Sequence, residues 1–341
     1  MKEKDETGDY METTFFISKN TSVTSKQLKN EVIGHACEIL QRDILTVVTD
    51  TRKTNAIELV LLDEKNKTDA FHILFVSPDK VKVCAETPLG LMYGVLEISH
   101  KILDVQPFWY FMEIPPIKKP FMEWTGFDLT LPDFATDYRG WFVNDELLLD
   151  HWEDNGSNEY VWERIYETLL RLGGNVIIPG TDKNSHRHRE NAQAMGLIYT
   201  HHHAEPLGAE MFARRYPGLK ASYEEHFALF QELWKKALHE QKGTKVIYTL
   251  GFRGQGDCPF WVEDLDRQWS AAEKAAVINE IVHLQYHMVK EVDPHAVCSM
   301  NIYGEMTELF NLGLLELPDD VIEIWADNGL SLIHISEPTR H

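Results

Sequence analysis

Short apolar runs recur along the second part of the chain, and each run ends in polar residues suited to catalysis. The six runs are residues 141–143, 176–178, 197–199, 246–250, 296–300 and 321–324. Continuous Val, Ile and Leu runs are typical of buried parallel strands, and barrel enzymes carry their chemistry on the loops that follow such strands. The pattern therefore predicts an α/β protein with an incomplete TIM-like barrel, a hydrolase or lyase with about six of the eight strands present.

Apolar residues spaced by three or four positions predict the helices between these strands. The clearest stripes lie within residues 161–172, 223–238 and 277–288, and shorter helices are expected over residues 185–195 and 306–315. Glycine or proline follows each of the three stripes, which is where helices commonly end. Strands that alternate with helices in this way are typical of βαβ units.

The first 116 residues predict a separate small α/β domain. Strand-like runs begin at Phe15 and cover residues 57–62, 71–75 and 81–84, and helical patterns cover residues 25–40 and 87–103. A turn signal at residues 77–80 joins the last two strands as a hairpin. Prolines between positions 107 and 120 mark the domain boundary, so we expect the barrel over residues 117–329. The N-terminal domain carries no catalytic constellation, and we expect it to support the barrel.

Composition narrows the class of protein. The 341 residues carry a formal net charge of −21, and 43% of them are apolar. An acidic chain is unsuited to nucleic acid, and no apolar run approaches the length of a membrane span. The four cysteines form no paired motif, and the polar start does not resemble a signal peptide. We therefore expect a cytoplasmic protein that binds neither nucleic acid nor membrane.

Residues 330–341 break the repeating pattern. Their sequence resembles the translation of an adapter used in library preparation, and such segments are excluded from fold reasoning. We expect the native sequence to stop near Gly329 and the tail to form no barrel strand. The alternative is a genuine C-terminus with a Ser-Glu-Pro turn.

Six segments together resemble glycoside hydrolase family 115. They are YRGWFVNDE at 138–146, GGNVIIPG at 173–180, HHHAEP at 201–206, GFRGQGD at 251–257, YGE at 303–305 and WADN at 325–328. The resemblance covers nearly all of residues 13–329 and implies an inverting xylan α-1,2-glucuronidase that releases glucuronic acid or its 4-O-methyl ether. The implied partner is glucuronoxylan or its oligosaccharides, without a cofactor, and we expect a homodimer for the full-length protein. Family members are much longer, so binding residues further downstream cannot be carried over.

Inverting hydrolysis needs a general acid and a general base with carboxyl groups about 6.5–9.5 Å apart. Glu305 follows Tyr303 with few charges nearby in the sequence, and a carboxyl group beside aromatic rings favours its neutral form, which suits the acid. Asp257 lies four residues after Arg253, whose charge keeps a neighbouring carboxylate ionised, which suits the base. The resemblance points to the same two residues. The alternative role for both Glu305 and Asp257 is a structural one, as a loop carboxylate that forms a salt bridge at the surface.

A uronic acid carries a carboxylate that needs fixed cations or hydrogen-bond donors. The planar guanidinium of Arg253 suits bidentate recognition of a carboxylate, and histidines can donate to the carboxylate or to sugar hydroxyls. Side chains alternate along a strand, so at most His201 and His203 could converge on a bound metal, and His202 would point away from it. The histidine candidates for substrate binding are His202 and His203.

A metal site is the rival interpretation of the three histidines. It requires a further ligand, for which Asp182 and Asp327 are available in the sequence. We favour hydrogen bonding over metal binding and expect no metal.

The remaining substrate-binding candidates are Asp145, Tyr303, Trp325, Asp327 and Asn328. Asp145 follows the first barrel strand, with helix capping as its alternative. Trp325 offers a ring for sugar stacking, although it could equally be a core residue. Asp327 and Asn328 suit sugar hydroxyls.

Two functions from other classes remain open at this point. One is a metal-dependent barrel hydrolase that uses the histidines, and the other is an inactive fragment that binds carbohydrate. Family 20 hexosaminidases share the two-domain plan, but they carry an adjacent Asp-Glu pair after the fourth strand. This chain has Gly-Gln-Gly-Asp257 there, which counts against that family.

Overall fold

The computed structural model describes residues 14–51, 53–63, 67–125, 129–131, 133–144, 146–253, 258–263 and 267–325. Four candidate site residues lie outside these ranges, as does the tail at 330–341: Asp145, Asp257, Asp327 and Asn328. Contacts divide the chain into two units, one of residues 1–141, 151–176 and 194–197 and the other of residues 142–150, 177–193 and 198–341. The boundary near residue 116 stays a prediction.

The first unit contains seven of the described strands in chain order. They are β1 (Thr14–Ile17), β2 (Thr21–Ser25), β3 (Asn55–Leu61), β4 (Phe71–Ser77), β5 (Lys80–Ala85), β6 (Met122–Thr125) and β7 (Leu129–Leu131). Five of them form one sheet in the order β2-β3-β5-β4-β7, and β1 pairs with β6 in an antiparallel ribbon. Strand β4 runs antiparallel to β5, which confirms the predicted hairpin.

Three helices of the first unit are α1 (Glu31–Val47), α2 (Pro88–Lys101) and α3 (Asn158–Arg171). The prediction that α1 starts near residue 25 is wrong, because β2 continues to Ser25 and the Asn30 side chain caps the helix by accepting from the Ile33 amide. Thr87 caps α2 at the predicted position. The apolar stripe of α3 packs Val161, Ile165 and Leu169 into the core.

Six further strands follow in chain order and correspond to the six apolar runs. They are β8 (Gly140–Phe142), β9 (Val176–Ile178), β10 (Ile198–Tyr199), β11 (Ile247–Leu250), β12 (Val297–Ile302) and β13 (Val321–Trp325). They form two sheets, β8-β9-β10 and β11-β12-β13, and a parallel bridge joins Tyr199 to Val246. The predicted strands are confirmed. Within the described ranges they form two separate three-stranded sheets and no closed barrel, so the incomplete TIM-like barrel stays a prediction.

Five further helices follow α3 in chain order. They are α4 (Lys183–Ala194), α5 (Phe212–Arg215), α6 (Tyr223–Glu240), α7 (Ala271–Val292) and α8 (Glu305–Asn311). Apolar residues of α5, α6, α7 and α8 belong to one core, in which Trp234, Leu250 and Ile281 are almost fully buried. Among the described helices, none is long and apolar enough to cross a membrane.

Candidate active site

The parallel register of three strands brings their polar extensions to one edge. Leu250 of β11 pairs with Met300 of β12, and Ile302 of β12 pairs with Trp325 of β13. The chain therefore leaves these strands on the same side, and the segments with Arg253 and with Tyr303 to Glu305 follow side by side. This is the edge at which the sequence pattern predicts the chemistry.

Arg253 and Glu305 form a bidentate ion pair at this edge. Arg253 Nε donates to Glu305 Oε1 at 2.9 Å and Nη2 donates to Oε2 at 2.8 Å. Each side chain is only 9% exposed, so water screens the pair weakly. The expectation that few charges lie near Glu305 is wrong. The reason is the register of β11 and β12, which places a residue 52 positions earlier beside this carboxylate.

His203 and Tyr303 complete a cluster around the guanidinium, here called the Arg253 cluster (His203, Arg253, Tyr303 and Glu305). Arg253 Nη1 lies 2.8 Å from His203 Nε2. Since a guanidinium only donates, His203 Nε2 accepts and its proton is on Nδ1. The Tyr303 ring stacks on His203 with centroids 5.2 Å apart and planes 19° apart. The cluster fixes a cation, a carboxylate, an imidazole and a phenol within hydrogen-bonding or stacking distance.

His202 lies next to this cluster, and His201 does not. The His202 and His203 rings are 3.8 Å apart, and His202 also packs against Phe142 at 5.3 Å. The expectation that alternation would separate His202 from His203 is wrong. Strand β10 ends at Tyr199, so the alternation of side chains along a strand does not extend to the histidines.

His201 is fully buried below the edge. Neither of its ring nitrogens has a hydrogen-bond partner among the described residues. Burial lowers its pKa to about 3, and the charges of His186 and Arg189 contribute in the same direction. Gly208, at φ +71°, approaches so closely that a Cβ there would lie 2.4 Å from His201 Cε1. His201 is therefore a neutral, tightly packed side chain.

The described part of the chain brings together no group of three or more His, Cys, Asp or Glu side chains able to hold a metal ion. Asp182, one of the two potential extra ligands, forms an ion pair with Arg214. Asp327, the other, lies outside the described residues. The substrate-binding role of His202 and His203 stays a prediction.

Two aromatic side chains at strand ends are open to solvent. Trp325 ends β13 and is 53% exposed, with its ring edge-on to Phe310 at 4.8 Å. Phe142 ends β8 and is 37% exposed. The alternative of Trp325 as a core residue is wrong, and its role as a sugar platform stays a prediction.

Sequence reasoning missed Gln285 of α7. Its side-chain amide accepts from the Gly251 N–H at 2.9 Å and donates to the Gly251 carbonyl at 3.0 Å. Gln285 is fully buried, and Gly251 directly follows β11, two residues before Arg253. The signal was present in the sequence, since an amide on the buried face of a predicted helix needs a polar partner.

The chain matches known proteins in sequence and in structure. The glycosyl hydrolase family 115 profile matches residues 133–340. A solved family GH115 4-O-methyl-α-glucuronidase, with specificity for decorated arabinogalactans, is similar at a TM-score of 0.73 and 24% identity, over 92% of this chain and 46% of that one. The chain thus spans about half the length of that enzyme.

Two hexosaminidases share the fold at lower similarity. The Flavobacterium johnsoniae chitobiase has a TM-score of 0.54 at 10% identity, over 91% of this chain and 52% of its own. A β-N-acetylhexosaminidase from Bacteroides fragilis has a TM-score of 0.52 at 13% identity, over 97% of this chain and 71% of its own. No curated protein matches the sequence. The family profile covers more than half of the chain, and the chain therefore belongs to glycoside hydrolase family 115.

Proposed function

We propose that this protein hydrolyses the α-1,2 linkage of glucuronic acid or 4-O-methylglucuronic acid on xylan, with inversion at the anomeric carbon. The observation that carries the proposal is the Arg253 cluster, in which a cation and a carboxylate are held at the edge where strands β11 and β12 end. A uronic acid substrate requires both groups, a cation for its carboxylate and an acid for its glycosidic oxygen.

Recognition of the substrate carboxylate falls to Arg253. The chain carries a net charge of −21, so the overall field repels an anionic sugar and a local cation must overcome that repulsion. A guanidinium with little exposure makes strong hydrogen bonds to a carboxylate. His202 and His203 lie next to it and offer further donors, and Phe142 and Trp325 offer exposed ring faces to the sugar.

Catalysis is assigned to Glu305 as the general acid and Asp257 as the general base. Glu305 accepts from Arg253 through both of its carboxylate oxygens. A uronate carboxylate that engages Arg253 competes with Glu305 for the same donors. Binding of a uronate thereby frees Glu305 from its ion pair, which couples recognition of the carboxylate to the chemical step.

The polymer that carries the uronic acid is the second element of the proposal. The resemblance of the sequence favours xylan, whereas the solved family member has specificity for decorated arabinogalactans. Incubation with glucuronoxylan and with uronate-decorated arabinogalactan, followed by measurement of free uronic acid, decides between them. We expect release from xylan. Release from neither polymer contradicts the proposed function.

The metal-dependent alternative has a separate test. A hydrolase that depends on a bound metal loses its activity after treatment with a chelator and regains it when the metal is returned. We expect uronic acid release to be unchanged by the chelator. A loss that is reversed by an added divalent cation would favour the alternative.

A further inference from the structure

A single side-chain amide fixes the point at which the chain leaves β11. Gln285 accepts from the Gly251 N–H and donates to the Gly251 carbonyl, at 2.9 and 3.0 Å. These are the two backbone groups that a neighbouring strand would pair with if the sheet continued. The amide therefore replaces a strand at the one residue where β11 gives way to the loop.

Gly251 adopts a backbone conformation that needs such support. Its φ is +133°, a region that residues with a Cβ rarely occupy. Gln285 is fully buried, and leaving polar groups unsatisfied at this depth is destabilising. Both partners are thus held in one arrangement, and the direction in which residues 252 and 253 emerge follows from it.

We propose that Gln285 is a positioning residue for the hydrolytic reaction, acting through Gly251 on the placement of Arg253. The inference rests on the proposed function, because it assigns to Gln285 the task of aiming the guanidinium that holds Glu305 and receives the uronate. Gln285 itself contacts neither the substrate nor the reacting atoms. Small errors in the position of such a group are costly, since a displacement of about 1 Å can lower a rate about 10²-fold.

The same helix supplies a matched control. Asn279 of α7 donates to the Leu314 carbonyl at 2.9 Å and accepts from the Glu316 N–H at 3.0 Å. This amide also fixes a loop through two backbone groups, but residues 314–316 carry no candidate site residue. Comparing substitutions at the two positions separates a general loss of loop order from a loss of positioning at the site.

The most discriminating variant is Gln285→Glu. An ionised carboxylate accepts from the Gly251 N–H but cannot donate to the Gly251 carbonyl, whereas a protonated carboxyl can do both. Burial favours the protonated form of the introduced group. We therefore expect the ratio of variant to wild-type kcat to approach one at low pH and to fall as pH rises, by about 10- to 100-fold. The kcat of Gln285→Leu should be lower than that of the wild type by a similar factor at every pH.

The two Asn279 variants are the controls. Asn279→Asp and Asn279→Leu should leave kcat within about twofold of the wild type at every pH, even where they lower Tm. A kcat ratio of Gln285→Glu that does not change with pH, in a variant that stays folded, would overturn the proposal. So would a Gln285→Leu variant with wild-type kcat.

A second measurement does not depend on activity. Amide hydrogen exchange of peptides spanning residues 251–253 should accelerate in Gln285→Leu and remain unchanged in Asn279→Leu. Unchanged exchange in Gln285→Leu would overturn the proposal. A wild-type protein that releases no uronic acid contradicts the proposed function, and exchange then decides alone whether Gln285 orders this segment.

Discussion

Glu305 shows how one neighbour changes the chemistry of a carboxyl group. Arg253 holds both of its oxygens, so the site at rest presents an ion pair instead of the isolated acid that the sequence suggested. Under the proposed function, the pair also gives the enzyme a means of selecting an acidic sugar. A neutral sugar offers nothing that competes for the guanidinium, and Glu305 then remains paired.

The substitution Glu305→Gln tests the role of this residue. The amide still accepts from Arg253 but has no proton of suitable acidity to give, and loss of a general acid typically costs about 10²–10⁴-fold. We expect uronic acid release to fall by that factor while binding of the polymer persists. Glu308→Gln, an exposed position in the same short helix, is the control and should retain full activity. Near-wild-type release by Glu305→Gln would assign the acid to another residue.

His201 predicts how stability depends on pH. Burial lowers its pKa to about 3 from the ordinary 6.5, so between these values the unfolded chain binds a proton that the folded chain does not. Stability is therefore lost as pH falls below about 6.5, by up to about 1.4 kcal/mol per pH unit from this group. Denaturant unfolding across this range should show a shallower pH dependence for His201→Gln. The exposed His295→Gln should match the wild type, and an identical slope for His201→Gln would refute the assignment.

At the scale of elements, sequence periodicity predicted where the strands lie but not which side chains of distant elements contact each other. The six apolar runs became β8 to β13. Strand β11 fits the expected pattern most fully, since all four of its residues are buried and it pairs in parallel with β12. The histidines were misassigned because β10 contains only two residues, too few to impose alternation. Neither the pairing of Arg253 with Glu305 nor that of Gln285 with Gly251 could be predicted, because each depends on the register between elements distant in sequence.

Three elements of the first unit, α1, α2 and α3, meet at a buried network of charges. Glu167 of α3 is 1% exposed and contacts Arg42 at 2.7 Å, Arg164 at 3.0 Å and Arg171 at 2.8 Å. Arg171 also reaches Asp43, and Ser99 of α2 donates to that aspartate. Burial alone would raise the pKa of Glu167, but the hydrogen bond from Arg42 and the three arginine charges outweigh it and hold that pKa well below its usual range.

Glu167→Gln should therefore destabilise the protein strongly. The substitution leaves three guanidinium groups without their shared anion, and breaking a buried ion pair in this way costs about 3–5 kcal/mol. Because the pKa is lowered, the stabilisation is present above about pH 4.5 and disappears as pH falls through the folded-state value. Denaturant unfolding at neutral pH measures the loss. Glu163→Gln, at the surface beside Arg164, should change the free energy of unfolding by less than about 1 kcal/mol, and a similarly small effect at Glu167 would refute the network's role.

At the scale of the whole molecule, the chain and its proposed substrate are both anionic. With a net charge of −21, the chain should repel a uronate-bearing polymer, and raised salt should weaken this repulsion. We expect KM for a uronate-bearing polymer to fall as ionic strength rises from low values, because long-range repulsion is screened before the weakly exposed cluster is affected. Steady-state kinetics at several salt concentrations measure this, and a KM that rises from the lowest salt upward would contradict it.

The most direct test of the account is proton NMR of a fresh reaction with glucuronoxylan. Inversion of an α-linked glucuronosyl group releases the β-anomer first, and the α-anomer grows in only through mutarotation. We expect free glucuronic acid or its 4-O-methyl ether, initially as the β-anomer. Initial release of the α-anomer would contradict inversion, and the absence of any free uronic acid would contradict the proposed activity itself.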